Sequence, residues 1–144
     1  NLQLLKKWNG PQFFCPMVKA NAYGHGDHLV APVAAKVSDA LGVALVEEGV
    51  RLREMGLTLP ILTFSPLNEA SAAAVIQHRL TPVIGRVEDL KALSVHKPKT
   101  LNVHLKFNTG MQRIGFDETD LQPLQQWLKE HPQIQVSGCC THLT

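Results

Sequence analysis

Lys19, Arg113 and His142 are the side chains of this sequence whose types and placement are best suited to chemistry. Lys19 ends the apolar run that begins at Phe13, Arg113 lies in the polar segment after Phe107, and His142 ends the last apolar run. Apolar surroundings favour the neutral lysine amine that Schiff-base formation requires. Spacing alone is equally compatible with a lysine whose amine merely reaches solvent. For Arg113 and His142, position alone favours an arginine in a surface ion pair and a capped loop histidine.

Six apolar or β-branched runs alternate with segments of helical spacing. The predicted strands span Phe13–Lys19, Leu41–Val46, Pro60–Ser65, Leu80–Gly85, Thr100–Phe107 and Ile134–Thr141. The predicted helices between them span His28–Val37, Glu47–Met55, Asn68–Gln77, Val87–Val95 and Thr119–Glu130. This alternation predicts an α/β protein whose parallel strands are joined by crossover helices.

Two architectures fit a parallel β/α repeat of this kind: an open, doubly wound sheet, or about six strands of an incomplete TIM-type (β/α)8 barrel. A complete barrel takes about 250 residues and eight strands. Residues 1–8 have the apolar spacing of a helix interior, and the sequence ends directly after a predicted strand. We therefore expect a piece of a larger protein. In either architecture the carboxyl ends of the strands share one face, where Lys19, Arg113 and His142 would converge.

The composition argues against several function classes. The chain has 144 residues, 44% of them hydrophobic, and a formal net charge of +2, and it has no basic stretch interleaved with aromatic residues, so nucleic acid is not an expected partner. The apolar runs are far shorter than the roughly 18 residues that span a membrane, and no membrane association is expected. Three cysteines, two of them adjacent, predict neither a disulfide framework nor a metal site, and favour a reducing, cytoplasmic setting.

Two longer blocks resemble the signatures of one enzyme family. The segment Val18–Gly26, VKANAYGHG, resembles the cofactor-lysine signature of the pyridoxal-phosphate-dependent alanine racemases, and Val103–Phe116, VHLKFNTGMQRIGF, resembles their second barrel signature. Cys140–His142 and Ala44–Gly49 also fit that family. The resemblance covers nearly the whole chain. It implies that residues 1–144 belong to the cofactor-binding amino-terminal barrel domain, without its last two strands and without the carboxy-terminal β-domain.

The resemblance also implies a role for each matching residue. Lys19 would hold pyridoxal 5'-phosphate as an internal aldimine and act as one of two acid/base groups at the substrate α-carbon. Tyr23 would hydrogen-bond the cofactor phosphate, and His142 would help to position the cofactor ring. Arg113 would face the phenolic oxygen of the cofactor and the substrate carboxylate, for which its planar fork is suited. Lys106 would be the family lysine that can be carbamylated, which would give Arg113 an anionic neighbour.

The activity that the resemblance implies is interconversion of L-alanine and D-alanine, which in a bacterium feeds cell-wall synthesis. A homodimer is expected for the full-length protein, because in the family a tyrosine of the other subunit supplies the second base. Tyr23 is the only tyrosine of this chain, so the 144 residues alone are expected to be inactive. Two alternatives stay open: another member of the same barrel family, either a broad-specificity racemase or an amino-acid decarboxylase, and a truncated barrel module without catalysis.

Overall fold

The computed structural model describes residues 1–143, in which short strands alternate with helices. The strands are β1 (Leu41–Val43), β2 (Ile61–Thr63), β3 (Thr81–Ile84), β4 (Leu101–Phe107) and β5 (Ile134–Thr141). The helices are α1 (Leu2–Asn9), α2 (Lys19–Tyr23), α3 (Asp27–Ala35), α4 (Val46–Glu54), α5 (Glu69–Gln77), α6 (Val87–Val95) and α7 (Leu121–Glu130), the last preceded by a 3-10 turn at Glu118–Asp120. The chain divides into two compact units, residues 1–64 and the residues from Ser65 onwards.

The first unit is built on two short parallel strands. β1 pairs with β2, with Leu41 opposite Ile61 and Val43 opposite Thr63. Every residue of both strands is buried, which is typical of parallel strands whose faces are covered by helices. α4 contacts both strands. It does so with a buried stripe at helical spacing, formed by Val46, Gly49 and Leu52.

The segment Phe13–Lys19 does not form the regular strand that its apolar run predicts. It makes one isolated parallel bridge, between Met17 and Gly42, held by hydrogen bonds on both sides of the glycine. The next rung of the ladder would need an N–H at position 16 to donate to the carbonyl of Ala40. Pro16 has no N–H, so no second bridge forms, although the Ala40 N–H still donates to the Phe14 carbonyl at 3.4 Å. That strand prediction was therefore wrong, and residues 1–143 contain five strands.

The second unit contains three parallel strands with β4 in the middle. β4 pairs with β3 and, along its whole length, with β5, from Leu101 opposite Ile134 to Phe107 opposite Thr141. The register shifts after Val103, where β5 carries one extra residue. Since β4 and β5 are parallel, their carboxyl ends lie at the same edge of the unit. The segments that follow Phe107 and Thr141 therefore begin side by side.

The remaining elements follow the sequence closely. Each strand from β1 to β4 is followed by a helix, and all observed strand pairs within the two units are parallel, which confirms the predicted α/β class. α6 has its predicted bounds, and the other four predicted helices differ from the observed ones by one or two residues at one or both ends. None of the helices that the structure describes has the length and apolar character needed to cross a membrane.

Candidate active site

Lys19 begins α2, a single helical turn of the left-handed kind. The four residues that follow it, Ala20, Asn21, Ala22 and Tyr23, all have φ between 51° and 55°. This conformation costs a residue with a Cβ roughly 1–2 kcal/mol, so four of them in a row cost roughly 4–8 kcal/mol. Backbone strain of this kind clusters at functional sites, because the surrounding structure must hold it in place.

Local hydrogen bonds hold the turn. The Ala22 N–H donates to the Val18 carbonyl at 3.0 Å, and the Gly26 N–H donates to the Asn21 carbonyl at 3.0 Å. The Asn21 side chain accepts a hydrogen bond from the N–H of Asp27 at 2.8 Å. These bonds join the turn to the extended segment before it and to the first residue of α3.

The Lys19 side chain is half-buried and lies beside Tyr23. Its ammonium nitrogen is 5.9 Å from the centre of the Tyr23 ring, within the range of a cation–π contact. Within residues 1–143 this ammonium has neither a carboxylate partner nor a hydrogen bond. The tyrosine is 58% exposed. The amine is therefore not engaged by any acid that the structure describes.

Glu48, on α4, accepts three backbone hydrogen bonds. One carboxylate oxygen accepts from the Ala20 N–H at 2.6 Å, and the other accepts from the N–H groups of Ala44 at 2.8 Å and Leu45 at 2.9 Å. Sequence reasoning missed this residue. The available signal was its position three residues after Leu45, because a glutamate there can accept a hydrogen bond from the backbone N–H at the amino end of a helix. That signal predicts a helix start and says nothing about Ala20.

Lys106 is a buried lysine on β4 of the second unit. It is 9% exposed, and the strand register places it opposite Cys140 of β5. Burial raises the pKa of the Cys140 thiol, and the positive charge of Lys106 opposes that rise in pKa. Among the residues described, no carboxylate pairs with Lys106. Buried lysines are rare without such a partner, so this part of the unit carries an uncompensated positive charge.

Arg113 lies on a loop that leaves β4 and returns to it. The Phe116 N–H donates to the Lys106 carbonyl at 2.8 Å, and the Asn108 N–H donates to the Phe116 carbonyl at 3.0 Å. The Asn108 side-chain amide donates to the Gly115 carbonyl at 2.9 Å. A Cβ at Gly115, where φ is 156°, would lie 2.8 Å from the Asn108 nitrogen. The loop can close this tightly because position 115 is a glycine.

The same loop is joined to the end of β5. The Thr141 hydroxyl donates to the Phe107 carbonyl at 2.8 Å and lies 2.5 Å from the Thr109 hydroxyl. The Met111 N–H donates to the His142 carbonyl at 3.4 Å. These contacts hold the Arg113 loop beside the residues that follow β5.

Lys106, Arg113 and His142 line one shallow recess in the second unit. Arg113 and His142 are exposed, so a guanidinium and an imidazole are accessible to a small anionic ligand. The structure thus brings together three of the five residues that the sequence singles out. The other two, Lys19 and Tyr23, lie in the first unit. In the part of the chain that the structure describes, no group of three His, Cys, Asp or Glu side chains could hold a metal ion.

Both signature segments, around Lys19 and around Arg113, lie within a match to a known family. Residues 1–144 match the family model described as alanine racemase, N-terminal domain. The chain belongs to the alanine racemase family. The family resemblance of the two segments is therefore confirmed.

Curated alanine racemases align with most of this chain. That of Neisseria meningitidis serogroup B is 40% identical over 132 residues, which are 90% of this chain and 37% of the relative. That of Corynebacterium glutamicum is 35% identical over 144 residues, which are 99% of this chain and 40% of the relative. The chain thus spans about two fifths of the length of these alanine racemases.

Solved alanine racemase structures share the fold. The crystal structure from Corynebacterium glutamicum matches with a TM-score of 0.92 at 33% identity, over 98% of this chain and 42% of that one. The Bacillus anthracis enzyme with bound L-Ala-P matches with a TM-score of 0.89 at 27% identity, over 99% of this chain and 38% of that one. The five parallel strands and their helices fit part of a TIM-type barrel, which decides between the two architectures that the sequence allows.

Proposed function

We propose that this chain supplies the cofactor-binding part of an alanine racemase that interconverts L-alanine and D-alanine with pyridoxal 5'-phosphate. The observation that carries the proposal is the set of surroundings of the Lys19 amine and the conformation of the turn that Lys19 begins. Its half-buried amine has no carboxylate or hydrogen-bond partner among residues 1–143, and Lys19 begins a left-handed turn of strained residues. The relatives, which are named alanine racemases, support the choice of alanine as the substrate.

The residues present fit pyridoxal phosphate. An aldehyde cofactor requires a lysine amine that no carboxylate engages, and Lys19 meets this requirement within the described residues. The cofactor and the substrate are both anionic, so they require positive charges and hydrogen-bond donors. Arg113 and His142 offer such groups at one recess, and the exposed Tyr23 offers a hydroxyl donor in the first unit. When bound, the cofactor supplies an electron sink for the charge that the α-carbon gains as its proton leaves.

Lys19 has two tasks in this proposal. Its Nζ atom binds the cofactor, and it then serves as a proton carrier on one face of the substrate. Nζ accepts the proton from the α-carbon of one enantiomer and donates a proton to the same face when the reaction runs in reverse. Both tasks require a fixed Nζ, because proton transfer needs the donor and acceptor within hydrogen-bonding reach.

Arg113 binds the substrate carboxylate and faces the phenolic oxygen of the cofactor. Two parallel N–H donors of its guanidinium match the two oxygens of a carboxylate. Lys106 lines the same recess, so two positive charges share one site. Carbamylation relieves this repulsion: Lys106 loses one proton to give the neutral amine, the amine attacks CO2 so that an N–C bond forms as one C–O π bond breaks, and a second proton leaves the nitrogen. The resulting anion orients Arg113, while His142 positions the cofactor ring.

The second proton-transfer group comes from a partner subunit. Lys19 serves one face of the substrate, and the chain's only tyrosine, Tyr23, donates to the cofactor phosphate. A racemase needs an acid/base group on each face, and in the alanine racemase family a tyrosine of the other subunit supplies the second one, so we propose a homodimer of full-length chains as the working enzyme. Its setting is the cytoplasm, in agreement with cysteines that suggest no disulfide framework.

Exchange of the alanine α-proton for deuterium tests the proposed function in the full-length protein. In deuterated water with pyridoxal phosphate, both enantiomers should gain deuterium at the α-carbon and convert into each other. Lys19→Ala should abolish both changes, whereas Lys36→Ala, which removes an exposed lysine of the same unit, should preserve them. A cofactor-loaded wild-type protein that exchanges neither enantiomer would refute the proposal.

A further inference from the structure

We propose that Glu48 is a positioning residue for Lys19, an inference that rests on the proposed function. The Glu48 carboxylate fixes the peptide group that follows Lys19 and so sets the direction of the amine that holds the cofactor. One oxygen accepts the Ala20 N–H at 2.6 Å, while the other accepts the N–H groups of Ala44 and Leu45, directly after β1. One side chain therefore joins the Lys19 turn to the start of α4.

The backbone on each side of Lys19 is held by a hydrogen bond from outside α2. On its amino side the Val18 N–H donates to the Gly42 carbonyl at 2.8 Å, and on its carboxyl side the Ala20 N–H donates to Glu48 at 2.6 Å. These two anchors restrict the backbone before and after Lys19 and so limit the direction of its Cα–Cβ bond. Of these two anchors only Glu48 acts through a side chain, so a substitution can remove it alone.

The left-handed conformation explains why an anchor is needed. Residues Ala20 to Tyr23 lie at φ of 51° to 55°, where residues with a Cβ are less stable than in the right-handed region. A turn that relaxed to the right-handed region would rotate the Ala20 amide away from Glu48. A hydrogen bond to an ionised acceptor is roughly twice as strong as a neutral one and opposes this relaxation.

Because the two oxygens of Glu48 bind different amides, one substitution can remove the contact with Ala20 and keep those with Ala44 and Leu45. A glutamine has one acceptor oxygen and one NH2 donor. In Glu48→Gln the oxygen should stay with Ala44 and Leu45, which together offer two donors, and the NH2 should then face the Ala20 N–H. The substitution should therefore release the Lys19 turn and leave the start of α4 capped.

Hydrogen–deuterium exchange of the full-length apoprotein measures the anchor without the cofactor. Glu48→Gln should speed exchange of the Ala20 amide roughly ten- to hundredfold, with little change at Ala44 and Leu45. Glu47→Gln is the matched control, because Glu47 is the preceding residue of the same helix and is exposed. It should leave all three amides unchanged.

Release of pyridoxal phosphate from Lys19 gives the second readout. Glu48→Gln should release the cofactor several-fold faster than Glu47→Gln and should change the visible circular dichroism of the lysine-bound cofactor. A purely structural role would lower the folded fraction and leave the dichroism of the folded protein unchanged. Should Glu48→Gln fail to fold, Glu48→Asp takes its place, because the shorter acid keeps the charge and cannot span both sets of amides.

The outcomes separate this inference from the proposed function. Equal Ala20 exchange in Glu48→Gln and Glu47→Gln would overturn the inference. Faster Ala20 exchange with unchanged cofactor release and dichroism would also overturn it. A wild-type protein that holds no pyridoxal phosphate on Lys19 would instead overturn the proposed function.

Discussion

The backbone N–H of Phe116 donates a hydrogen bond to the carbonyl of Lys106 at a distance of 2.8 Å. The loop that carries Arg113 is thereby closed onto the strand that carries the buried lysine. Both cations of the recess thus depend on the same strand for their position. A substitution within the loop should displace Arg113 more than it displaces Lys106.

Arg113→Lys should weaken catalysis by the full-length enzyme. A lysine keeps the positive charge and loses the two parallel hydrogen bonds to a carboxylate. The loss of one such contact in the transition state is worth about 2–4 kcal/mol, so kcat/KM should fall roughly 30- to 1,000-fold. Steady-state racemisation measures this, with Lys91→Arg on the exposed face of α6 as the control. Unchanged kinetics would show that Arg113 does not bind the substrate carboxylate.

Gly115→Ala should destabilise the Arg113 loop. The new Cβ would lie 2.8 Å from the Asn108 backbone nitrogen, so the loop has to shift. The free energy of unfolding should fall by about 1–3 kcal/mol, and kcat/KM should fall with it because Arg113 moves.

Gly56→Ala is the control for that substitution. Gly56 also has a positive φ, 84°, but nothing lies within 4 Å of an added Cβ. Its substitution should cost about 1–2 kcal/mol from backbone strain and should leave kcat/KM unchanged. Urea unfolding and steady-state kinetics compare the two variants. A Gly115→Ala enzyme with the kcat/KM of Gly56→Ala would contradict the importance of loop closure.

Cys140 should report the charge at Lys106. Burial raises the pKa of the Cys140 thiol, the Lys106 charge lowers it, and Cys139 raises it. Lys106→Met removes the one lowering contribution, so the pKa of Cys140 should rise further and its thiolate fraction should fall. Iodoacetamide should therefore label Cys140 more slowly in Lys106→Met than in the wild type at mildly alkaline pH.

Bicarbonate extends the same measurement to the proposed carbamylation. A carbamate would replace the positive charge at Lys106 with a negative one, so bicarbonate should slow labelling of Cys140 in the wild type. It should have no effect on Cys140 in Lys106→Met. The exposed Cys139 is the control within the same chain. Equal slowing at both cysteines would argue against a carbamate at Lys106.

The alternation of strands and helices could be predicted because it rests on apolar periodicity, which is local. The run at Phe13–Lys19 failed as a strand because Pro16 breaks the ladder at a position where the apolar pattern continues. The left-handed turn after Lys19 could not be predicted, because Ala20 and Ala22 carry no local preference for positive φ. Hydrogen bonds within residues 18–27 hold its conformation together with Glu48, which is distant in sequence.

The candidate site likewise has one part that the sequence predicts and another that it does not. The carboxyl ends of parallel strands meet at one edge, so the grouping of Arg113 with His142 followed from topology. The contact of Glu48 with Ala20 joins residues 28 positions apart, and no periodicity encodes it. Family motifs identify Lys19 as chemically important, but only the structure indicates which side chain holds its turn.

Borohydride reduction followed by peptide mapping tests the central claim most directly. The full-length protein is loaded with pyridoxal phosphate, reduced so that the cofactor stays on its lysine through a stable C–N bond, and digested for mass spectrometry. The label should appear on Lys19, in the peptide that contains VKANAYGHG, and should be absent from Lys19→Ala. A label on Lys106 or on another lysine, or no label at all, would contradict the account.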